Sequence, residues 1–597
     1  MAQTTTDVLI IGSGPTGTTM ALELAAQGIP FRIVDKIPQR SDKSKALAVQ
    51  PRSLEVMARH GPVERLIERG NANLGGAIFV NGKKTVDVNL GGITATRDSA
   101  FPHTILAPQS LTEGFLAECL ATRYGRSVEF GTEATSIKQD ADGVTVTLRK
   151  RSSSSPLSSS ASPLWSSASS TSSASTKVED SDDAANGTQA DEETIRAKYV
   201  VGADGAHSIV RHATSVQFEG DAYPQDFILC DAHLRNSSMS RDRFRICMRY
   251  GLLLVFPLGN DVVRLVASRP GVPATDEPVL KDFQDWLDYM VPDGGGEIYD
   301  PIWLTRFKLH HRVSTNYRDG RLFLAGDAAH IHSPAGGQGM NTGIQDSVNL
   351  GWKLARVLRG EQPDAFLDSY NEERRPIGLR ILGSSDYLFN VVASQGWLWL
   401  FFRNLLAPWV LPYLLGDEAR RNRNFRFLSQ LGVRYRRSSI VGTANGFSGP
   451  VSGGDRAPDG PIIGYGEGKG ERELKKQKQG MRLHQLLMPN KHHLVLFSGA
   501  KSSEAASVDD LQQAAKTFRD GNSGCAALVH TLIAGSSSDS DRLSSPKSGS
   551  YYLDADGVLH RRYGFEDGPG YAYIRPDGHV AHIGPLSALP SFMKWLK

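Results

Sequence analysis

A glycine-rich turn near the N-terminus has the residue types and the spacing that bind a dinucleotide. Gly12, Gly14 and Gly17 follow an apolar strand, and the next apolar stretch ends at Asp35. The first two glycines permit a tight turn and close approach to a pyrophosphate, and the third lets the helix pack on the strand. The acidic residue can accept hydrogen bonds from ribose hydroxyls. The candidate cofactor residues here are Gly12, Gly14, Pro15, Thr16, Gly17, Asp35 and Lys36.

A second segment, Arg321 to Asn341, predicts a buried strand, an acidic residue at its end, a glycine-rich bend and a helix that begins near Gly339. Free amides and the dipole at such a helix start stabilise an anion by roughly 0.3 to 2 kcal/mol. They suit a reduced flavin, which is negative at N1 and O2, and Asp327 can accept hydrogen bonds from ribityl hydroxyls. With the first turn, this segment indicates FAD; the alternative is an ordinary strand, turn and helix with a capping aspartate. The candidate residues are Asp327, Gly337, Gln338, Gly339, Met340 and Asn341.

A third segment, Tyr199 to Arg211, predicts a strand that ends in a sharp turn at Asp204 and opens a helix. Ser208 and Arg211 are predicted on the first turns of that helix. A plain turn is the alternative. Because the segment lies between the other two motifs, we expect Asp204 to lie against the cofactor.

Length, charge and cysteine usage bound the class of protein. The 597 residues suggest roughly two to four domains. The net charge of +3, from 67 basic and 64 acidic residues, and the lack of a basic patch with interleaved aromatics argue against nucleic acid as a partner. The four cysteines lie far apart without a CxxC, which disfavours disulfides or a metal site and favours a reducing, cytoplasmic setting. A first strand beginning by Asp7 leaves no room for a secretory signal peptide.

The stretch from Tyr387 to Leu415 is rich in Trp, Phe and Leu. Gly396, Arg403, Pro408 and other residues interrupt it, so no uninterrupted apolar run of about 18 residues remains, and no transmembrane span is expected. We interpret it as helices packed in a core or against a second copy in a homodimer. Peripheral membrane contact is the alternative interpretation.

The predicted fold class is α/β, with a Rossmann-like FAD-binding domain, an inserted antiparallel β-sheet domain for substrate, a helical segment and a C-terminal thioredoxin-like domain. The C-terminal order of strands and helices favours that last fold, although Ser498 to Ser502 stands where a redox thioredoxin has CxxC. The serine-rich and acidic insert, residues 151–193, cannot bury a core and is predicted to be disordered. The expected boundaries are 1–75, 105–215 and 318–380 for FAD (insert 151–193), 76–104 and 216–317 for substrate, 381–445 for the helices and 446–597 for the C-terminal domain.

Further motifs carry a family resemblance. They are Gly337-Gln-Gly-Met-Asn341 followed by Gln345-Asp346 and Asn349 to Lys353, Pro108-Gln109, the run from Tyr370 to Pro376, Arg456-Ala-Pro458 and Arg575 to Gly578. With the three cofactor segments, they resemble the single-component FAD-dependent aromatic hydroxylases, the p-hydroxybenzoate hydroxylase class, in the branch of phenol hydroxylase and the polyketide-modifying oxygenases. The resemblance spans nearly the whole chain.

The resemblance implies roles for individual residues. The ADP part of FAD is expected on the first turn and the isoalloxazine beside Pro334 to Asn341, with the Pro334 carbonyl near the reacting oxygen as the catalytic group. Gln109 is similar to a flavin-contacting glutamine. Lys45 stands where relatives often have Arg. A cofactor contact of Lys45 is expected to be weaker, because the lysine side chain lacks the planar guanidinium group and the reach of arginine. Leu47 stands where phenol hydroxylase has an acidic residue, which argues against simple phenol as the substrate.

The resemblance also implies the reaction. NADPH or NADH binds transiently and reduces the flavin, O2 gives a C4a-hydroperoxide, and one oxygen atom is transferred to a phenolic or polyketide-type aromatic in a cavity that excludes water. A Baeyer-Villiger or epoxidising oxygenase on the same scaffold is the alternative, and a non-catalytic FAD-fold binding protein is a more distant one. No acid or base is assigned; His330 and His332 are interpreted as structural groups, and Arg264 is a further candidate.

Overall fold

The computed structural model describes residues 4–41, 46–72, 75–89, 98–150, 191–239, 243–268, 277–292, 294–333, 336–393, 397–465, 481–501, 505–521, 527–535 and 550–596. Two predicted site residues, Lys45 and Pro334, lie outside these ranges. Residues 151–190 of the predicted insert also lie outside them. The strands of the described residues form three large sheets and one short two-stranded pair.

The first sheet contains the predicted unit of strand, turn, helix and strand. Its neighbouring strands β16, β9, β1 and β2 are parallel. Val8 to Ile11 are at most 5% exposed because helices pack against the sheet, which explains an unbroken apolar run. The strands are β1 (Thr4–Ile11), β2 (Phe31–Val34), β7 (Thr132–Gln139), β8 (Val144–Lys150), β9 (Asp191–Gly202), β15 (Arg318–Asp319) and β16 (Leu322–Leu324).

The hairpin predicted on either side of the insert is formed by β8 and β9. Lys150 pairs with Asp191 in an antiparallel register. Strand β9 therefore begins earlier than predicted, and residues 191–193 of the predicted insert belong to the sheet. Pairing with β8 and an ion pair of 2.6 Å between Arg32 and Glu193 hold this first part of the strand.

The second sheet is the antiparallel sheet predicted from the alternating apolar stretches in 227–267. All its neighbouring pairs are antiparallel except β11 with β4. Cys230 and Leu265 pack on the side covered by a helix, 280–290, whereas Leu229 and Val266 pack on the opposite side. In spatial order the strands are β17 (His330–Ile331), β14 (Glu297–Ser314), β10 (Phe218–Arg235), β13 (Val262–Ser268), β12 (Gly251–Gly259), β11 (Arg243–Arg249), β4 (Gly75–Val80) and β5 (Lys83–Asn89).

Ten helices of the described residues precede the C-terminal sheet. They are α1 (Pro15–Ala26), α2 (Pro51–Met57), α3 (Glu64–Arg69), α4 (Gln109–Tyr124), α5 (Ile209–His212), α6 (Leu280–Met290), α7 (Gly339–Leu358), α8 (Asp368–Ala393), α9 (Trp397–Gly416) and α10 (Glu418–Leu428). Helix α7 begins at the predicted residue. Among the described residues, no helix is both long enough and apolar enough to cross a bilayer. The short pair is β3 (Ala48–Val49) with β6 (Ile105–Leu106).

The third sheet lies in the C-terminal part of the chain. Its centre is a parallel pair, β20 with β21, and β20 pairs on its other side with the predicted closing hairpin, β23 with β24. The thioredoxin-like fold stays a prediction. The strands are β18 (Gly442–Thr443), β19 (Ile463–Tyr465), β20 (His493–Phe497), β21 (Leu528–Gly535), β22 (Ser550–Ala555), β23 (Gly570–Ile574) and β24 (Val580–Pro585), and the helices are α11 (Val508–Gly521), α12 (Val558–Tyr563) and α13 (Leu589–Trp595).

Candidate active site

The three glycines of the N-terminal turn have different surroundings. A Cβ atom on Gly12, whose φ is +101°, would lie 2.3 Å from the carbonyl oxygen of Ala203, and one on Gly17 would lie 1.8 Å from the carbonyl oxygen of Gly12. Both glycines are therefore required by close packing of backbone on backbone. A Cβ on Gly14 would meet nothing within 4 Å. Gly14 faces open space at the start of α1, where no side chain caps the helix, so a phosphate can approach the free amides there.

Asp35 lies beside this turn at the end of β2. Its Oδ2 accepts hydrogen bonds from the backbone N–H of Ser13 at 2.7 Å and from the Ser13 hydroxyl at 2.8 Å, and its Oδ1 accepts from the N–H of Ile37 at 3.2 Å. The carboxylate is thus fixed next to the glycine turn, in the position expected for a ribose ligand. Lys36 follows as an exposed residue.

The second segment meets α1 at Thr16. A Cβ on Gly326, whose φ is +61°, would lie 2.6 Å from the Thr16 hydroxyl oxygen, and Ser347 donates a hydrogen bond to the Thr16 carbonyl at 2.8 Å. The Thr16 side chain therefore packs on protein. Asp327 follows Gly326 as an exposed residue, so the structure brings the first turn and Asp327 together.

The bend before α7 uses two glycines in the left-handed region, Gly336 and Gly337. Gln338 donates to the carbonyl of Leu428 at 2.8 Å, and Asn341 accepts from the N–H of Gln50 at 2.8 Å. These two predicted cofactor side chains thus attach the helix start to neighbouring segments. No side chain caps α7, and the backbone amides at Gly339 and Met340 are the groups that an anionic cofactor edge can use.

Asp204 joins the third segment to this site. Its Oδ2 accepts hydrogen bonds from the N–H groups of Ile209 at 2.7 Å and Val210 at 3.4 Å. Its Oδ1 is buried and has no partner among the described residues, and burial raises the pKa of this carboxyl group. Arg211 donates to the carbonyl of Ala328 at 2.9 Å and so connects the segment to the second one. A buried oxygen left open here fits a cofactor hydroxyl donor.

A buried cluster of Asp346, His330 and Arg374, the cofactor-side cluster, supports the site from below. Asp346 accepts from the N–H of Gly326 at 3.0 Å, from His330 Nε2 at 2.8 Å and from Arg374 Nε at 2.7 Å. Burial alone would raise the pKa of Asp346, but Arg374 and His330 hold it below its usual value. Asp346 had no role predicted from the sequence. An aspartate within the apolar face of the helix was the signal that could have found it.

His332 lies beside the start of α7. A Cβ on Gly339 would be 3.6 Å from its Nε2. That nitrogen is buried without a partner among the described residues, while Nδ1 contacts the carbonyl of Ser333 at 2.8 Å. Burial, reinforced by His330, lowers the pKa of His332 to about 4. The ring is therefore neutral at neutral pH and presents an open nitrogen toward the helix start.

Comparison with known proteins agrees with this geometry. The family described as "FAD binding domain" matches residues 5–160 and 168–385. The chain belongs to this family. Rifampicin monooxygenase of Streptomyces venezuelae is 34% identical over 396 residues, or 65% of this chain and 72% of that protein. The 6-methylpretetramide 4-monooxygenase of Streptomyces rimosus is 30% identical over 598 residues, covering 97% and 91%.

Solved structures show the same fold. The flavin-dependent monooxygenase PieE, determined with FAD and substrate, has a TM-score of 0.74 at 20% identity and covers 100% of this chain and 99% of that one. An aklavinone-11 hydroxylase, determined with FAD and aklavinone, has a TM-score of 0.71 at 20% identity, with coverage of 100% and 99%. The family match and the relatives named as monooxygenases show that the protein is an FAD-dependent monooxygenase, and the non-catalytic alternative is not supported.

Gln109 of this FAD-dependent monooxygenase is the first residue of α4. Its N–H donates to the carbonyl of Ala46 at 3.2 Å, and its side chain donates to Glu113 Oε1 at 2.7 Å. Burial raises the pKa of Glu113. Gln109 is thereby fixed next to the chain that follows Lys45, on the side of the cofactor domain that meets the second sheet.

An apolar contact joins the cofactor domain to the second sheet of the monooxygenase. Leu47 and Leu106 pack in one cluster with Phe244, and the partly buried ring of Phe256 is among the residues that pack against it. Leu47, which the resemblance matches to an acidic residue of phenol hydroxylase, thus lies in an apolar layer. The layer is the wall expected of a cavity that excludes water.

One buried ion pair lies on the sheet face that turns toward this layer. Arg264 donates to both oxygens of Asp231, at 2.8 and 2.7 Å. Arg264 lies two residues before Val266 on β13 and is paired with Phe256 of the neighbouring strand β12. The Asp231–Arg264 ion pair therefore lies on the same face of the sheet as these apolar side chains. Asp231 was not among the predicted residues, because its partner lies on another strand.

Proposed function

We propose that the protein hydroxylates a phenolic or polyketide-type aromatic substrate, using FAD and a transient nicotinamide reductant, NADPH or NADH. The observation that carries the proposal is the apolar layer of Leu47, Leu106, Phe244 and Phe256 between the cofactor domain and the second sheet. An aromatic molecule matches such a layer in polarity. Relatives named for 6-methylpretetramide and for pentachlorophenol, the latter 27% identical over 96% of this chain, support the substrate class.

The residues of the chain bind, orient and exclude water. The open amides at Gly14 hold the pyrophosphate, and Asp35 holds the ribose. The amides at Gly339 and Met340 stabilise the electron-rich edge of the ring system. Reduced FAD, when bound, would supply the electrons that activate O2, one atom of which goes to the substrate and the other to water. We also propose that the backbone carbonyl of Pro334 is the protein group nearest to the reacting oxygen.

The Asp231–Arg264 ion pair is the polar group on the sheet face that turns toward the apolar layer. A phenol with a pKa near ~10 reacts faster as its proton leaves, and Asp231 is the buried carboxylate on this sheet face. We infer that this pair accepts the phenolic hydrogen bond. Asp231→Asn is expected to lower product formation per NADPH oxidised while the flavin spectrum stays unchanged.

The test of the function is flavin loading followed by coupled turnover. The purified chain should carry a flavin absorbance spectrum, and a panel of phenols and aromatic polyketides should stimulate NADPH oxidation with isotopically labelled O2 appearing in the product. The product structure separates hydroxylation from ester formation or epoxidation. Peroxide as the sole product with every substrate would contradict the proposal.

A pair of glycine variants makes the loading test specific. Gly14→Val fills the space that a phosphate needs and is expected to abolish FAD binding. Gly383→Val is the matched control, because a Cβ there also meets nothing within 4 Å and the residue lies in α8. Loss of flavin from both variants would point to misfolding rather than to a blocked site.

Finer expectations from the sequence belong to the same proposal. They are the stated domain boundaries, the thioredoxin-like C-terminal domain, a homodimer and a cytoplasmic location. Three cysteines, Cys119, Cys230 and Cys247, are buried as free thiols, which supports a reducing compartment. Light scattering of the FAD-loaded chain measures the mass that distinguishes a monomer from a dimer.

A further inference from the structure

Helix α9 exposes large apolar side chains along its outer face. The exposed fraction is 44% for Trp399, 60% for Phe401, 51% for Phe402, 79% for Trp409 and 66% for Tyr413. Single exposed apolar residues are ordinary, but a contiguous aromatic surface of this kind marks a place of contact with a protein or a lipid.

The inner face of α9 is already used by the fold. Ala407 and Leu411 pack against the second sheet, Leu400 is 6% exposed, and Arg403 donates to the carbonyl of Arg249 at 2.9 Å. The helix is thus fixed on the protein by one side. Its outer side remains directed to the surroundings, and the helix can lie along a surface without inserting across it.

The charge next to this face indicates what covers it. Helix α10 follows directly and contains four arginines, of which Arg426 pairs with Asp98 at 3.0 Å; with Asp417 and Glu418 at the start of the helix, an excess of one positive charge remains. Arg420 lies 4.0 Å from the centre of the Tyr413 ring, and Arg423 is exposed. A second copy bound through the same face would bring like charges together, whereas anionic headgroups complement them.

We propose that α9 and α10 dock the enzyme on the surface of an anionic lipid bilayer. The aromatic outer face of α9 lies at the boundary between headgroups and acyl chains, where Trp and Tyr are favoured. Arg420 and Arg423 of α10 contact the headgroups. The proposal does not depend on the identity of the substrate.

The test is sedimentation of the FAD-loaded full chain with vesicles. Phosphatidylcholine vesicles with phosphatidylserine are compared with phosphatidylcholine alone, at low and high salt. The wild type should partition to the anionic vesicles and leave them at high salt. For the double variant Trp409→Glu, Tyr413→Glu, the partition coefficient to anionic vesicles should be at least about tenfold lower than for the wild type. Ile302→Glu is the control, because Ile302 is 55% exposed on β14, outside this surface.

A second variant separates charge from apolar contact. Arg420→Gln with Arg423→Gln should reduce binding to anionic vesicles by about fivefold per arginine; Arg65→Gln, exposed on another helix, should change nothing. Retained flavin absorbance checks the fold of every variant. Wild-type protein that stays in solution with both vesicle types overturns the proposal. The face belongs to a second copy instead if two results occur together: the wild type does not bind vesicles, and it forms a dimer that the double variant Trp409→Glu, Tyr413→Glu converts to monomers.

Discussion

The two halves of helix α7 each hold a buried charged cluster, and the clusters differ in how completely their atoms are paired. In the C-terminal half, Lys353, Glu373, Arg575 and Asp577 form what we term the docking cluster. Glu373 accepts from Lys353 at 2.8 Å and from Arg575 at 2.6 Å, and Arg575 also pairs with Asp577. Asn349 donates to Glu373 at 2.6 Å. This cluster attaches the C-terminal sheet to the cofactor domain.

The cofactor-side cluster in the first half leaves polar atoms open. His330 Nδ1 and the nearby Tyr317 hydroxyl are buried without partners among the described residues, as is His332 Nε2. Buried polar atoms are normally paired, so atoms left open beside a glycine bend indicate a place for a ligand. The members of the docking cluster are all paired, although both ring nitrogens of the neighbouring His579 have no hydrogen-bond partner among the described residues. The two clusters therefore differ in position as well: only the cofactor-side cluster contacts Gly326 of the second cofactor segment.

The largest effect is expected from Asp346→Asn. The substitution keeps the shape of the side chain but leaves Arg374 without its buried counter-charge, a loss of about 3–5 kcal/mol. It also weakens the hydrogen bond from Gly326, so FAD affinity should fall by about tenfold or more. Urea denaturation measures the stability, and flavin fluorescence titration measures the affinity.

Asp554→Asn is the matched control for that prediction. Asp554 is also fully buried and contacts His560 Nδ1 at 2.8 Å, but it lies in the C-terminal sheet. It should destabilise the protein without changing FAD affinity. If Asp346→Asn keeps wild-type affinity for FAD, the cofactor-side cluster does not support the site.

Glu373→Gln should produce the next largest effect. Lys353 and Arg575 lose their shared carboxylate, and Asp577 remains as the neighbouring negative group, so we expect a loss of about 3 kcal/mol in unfolding free energy. FAD affinity should stay at the wild-type value, because no open atom of the site changes. A parallel loss of FAD affinity, measured in the same titration, would remove the distinction between the two halves of α7.

Local features of the site could be predicted from the sequence, and long-range ones could not. The glycine turn and the helix start at Gly339 depend on residues close together along the chain, so their spacing was sufficient. The roles of Asp346 and Asp231 depend on Arg374 and Arg264, which reach them only through the fold. Similarly, sequence alone could not show that the Gln338 side chain would be held by a distant carbonyl.

Lys353→Met should have a smaller effect than Glu373→Gln. Burial lowers the pKa of Lys353 to about 8, although Glu373 acts in the opposite direction. Removing this costly charge while keeping a similar volume leaves Glu373 paired with Arg575, so the loss should be at most about 1 kcal/mol, with FAD affinity unchanged. A loss as large as that of Glu373→Gln would show that the lysine, rather than the glutamate, holds the docking cluster together.

The smallest effect at neutral pH is expected from the two neutral histidines, one in each half of the comparison. Burial lowers the pKa of His332 to about 4 and that of His579 to about 4, the latter against the attraction of Asp577. Both values lie below the usual 6.5, so the unfolded chain binds more protons, and stability is lost as pH falls from about 6.5 through about 4. His332→Gln and His579→Gln should each flatten this loss by at most about 1.4 kcal/mol per pH unit, as urea midpoints across that range would show. Only His332→Gln should change FAD affinity, because only its open nitrogen is directed at the start of α7; equal effects of both variants on FAD would contradict the comparison.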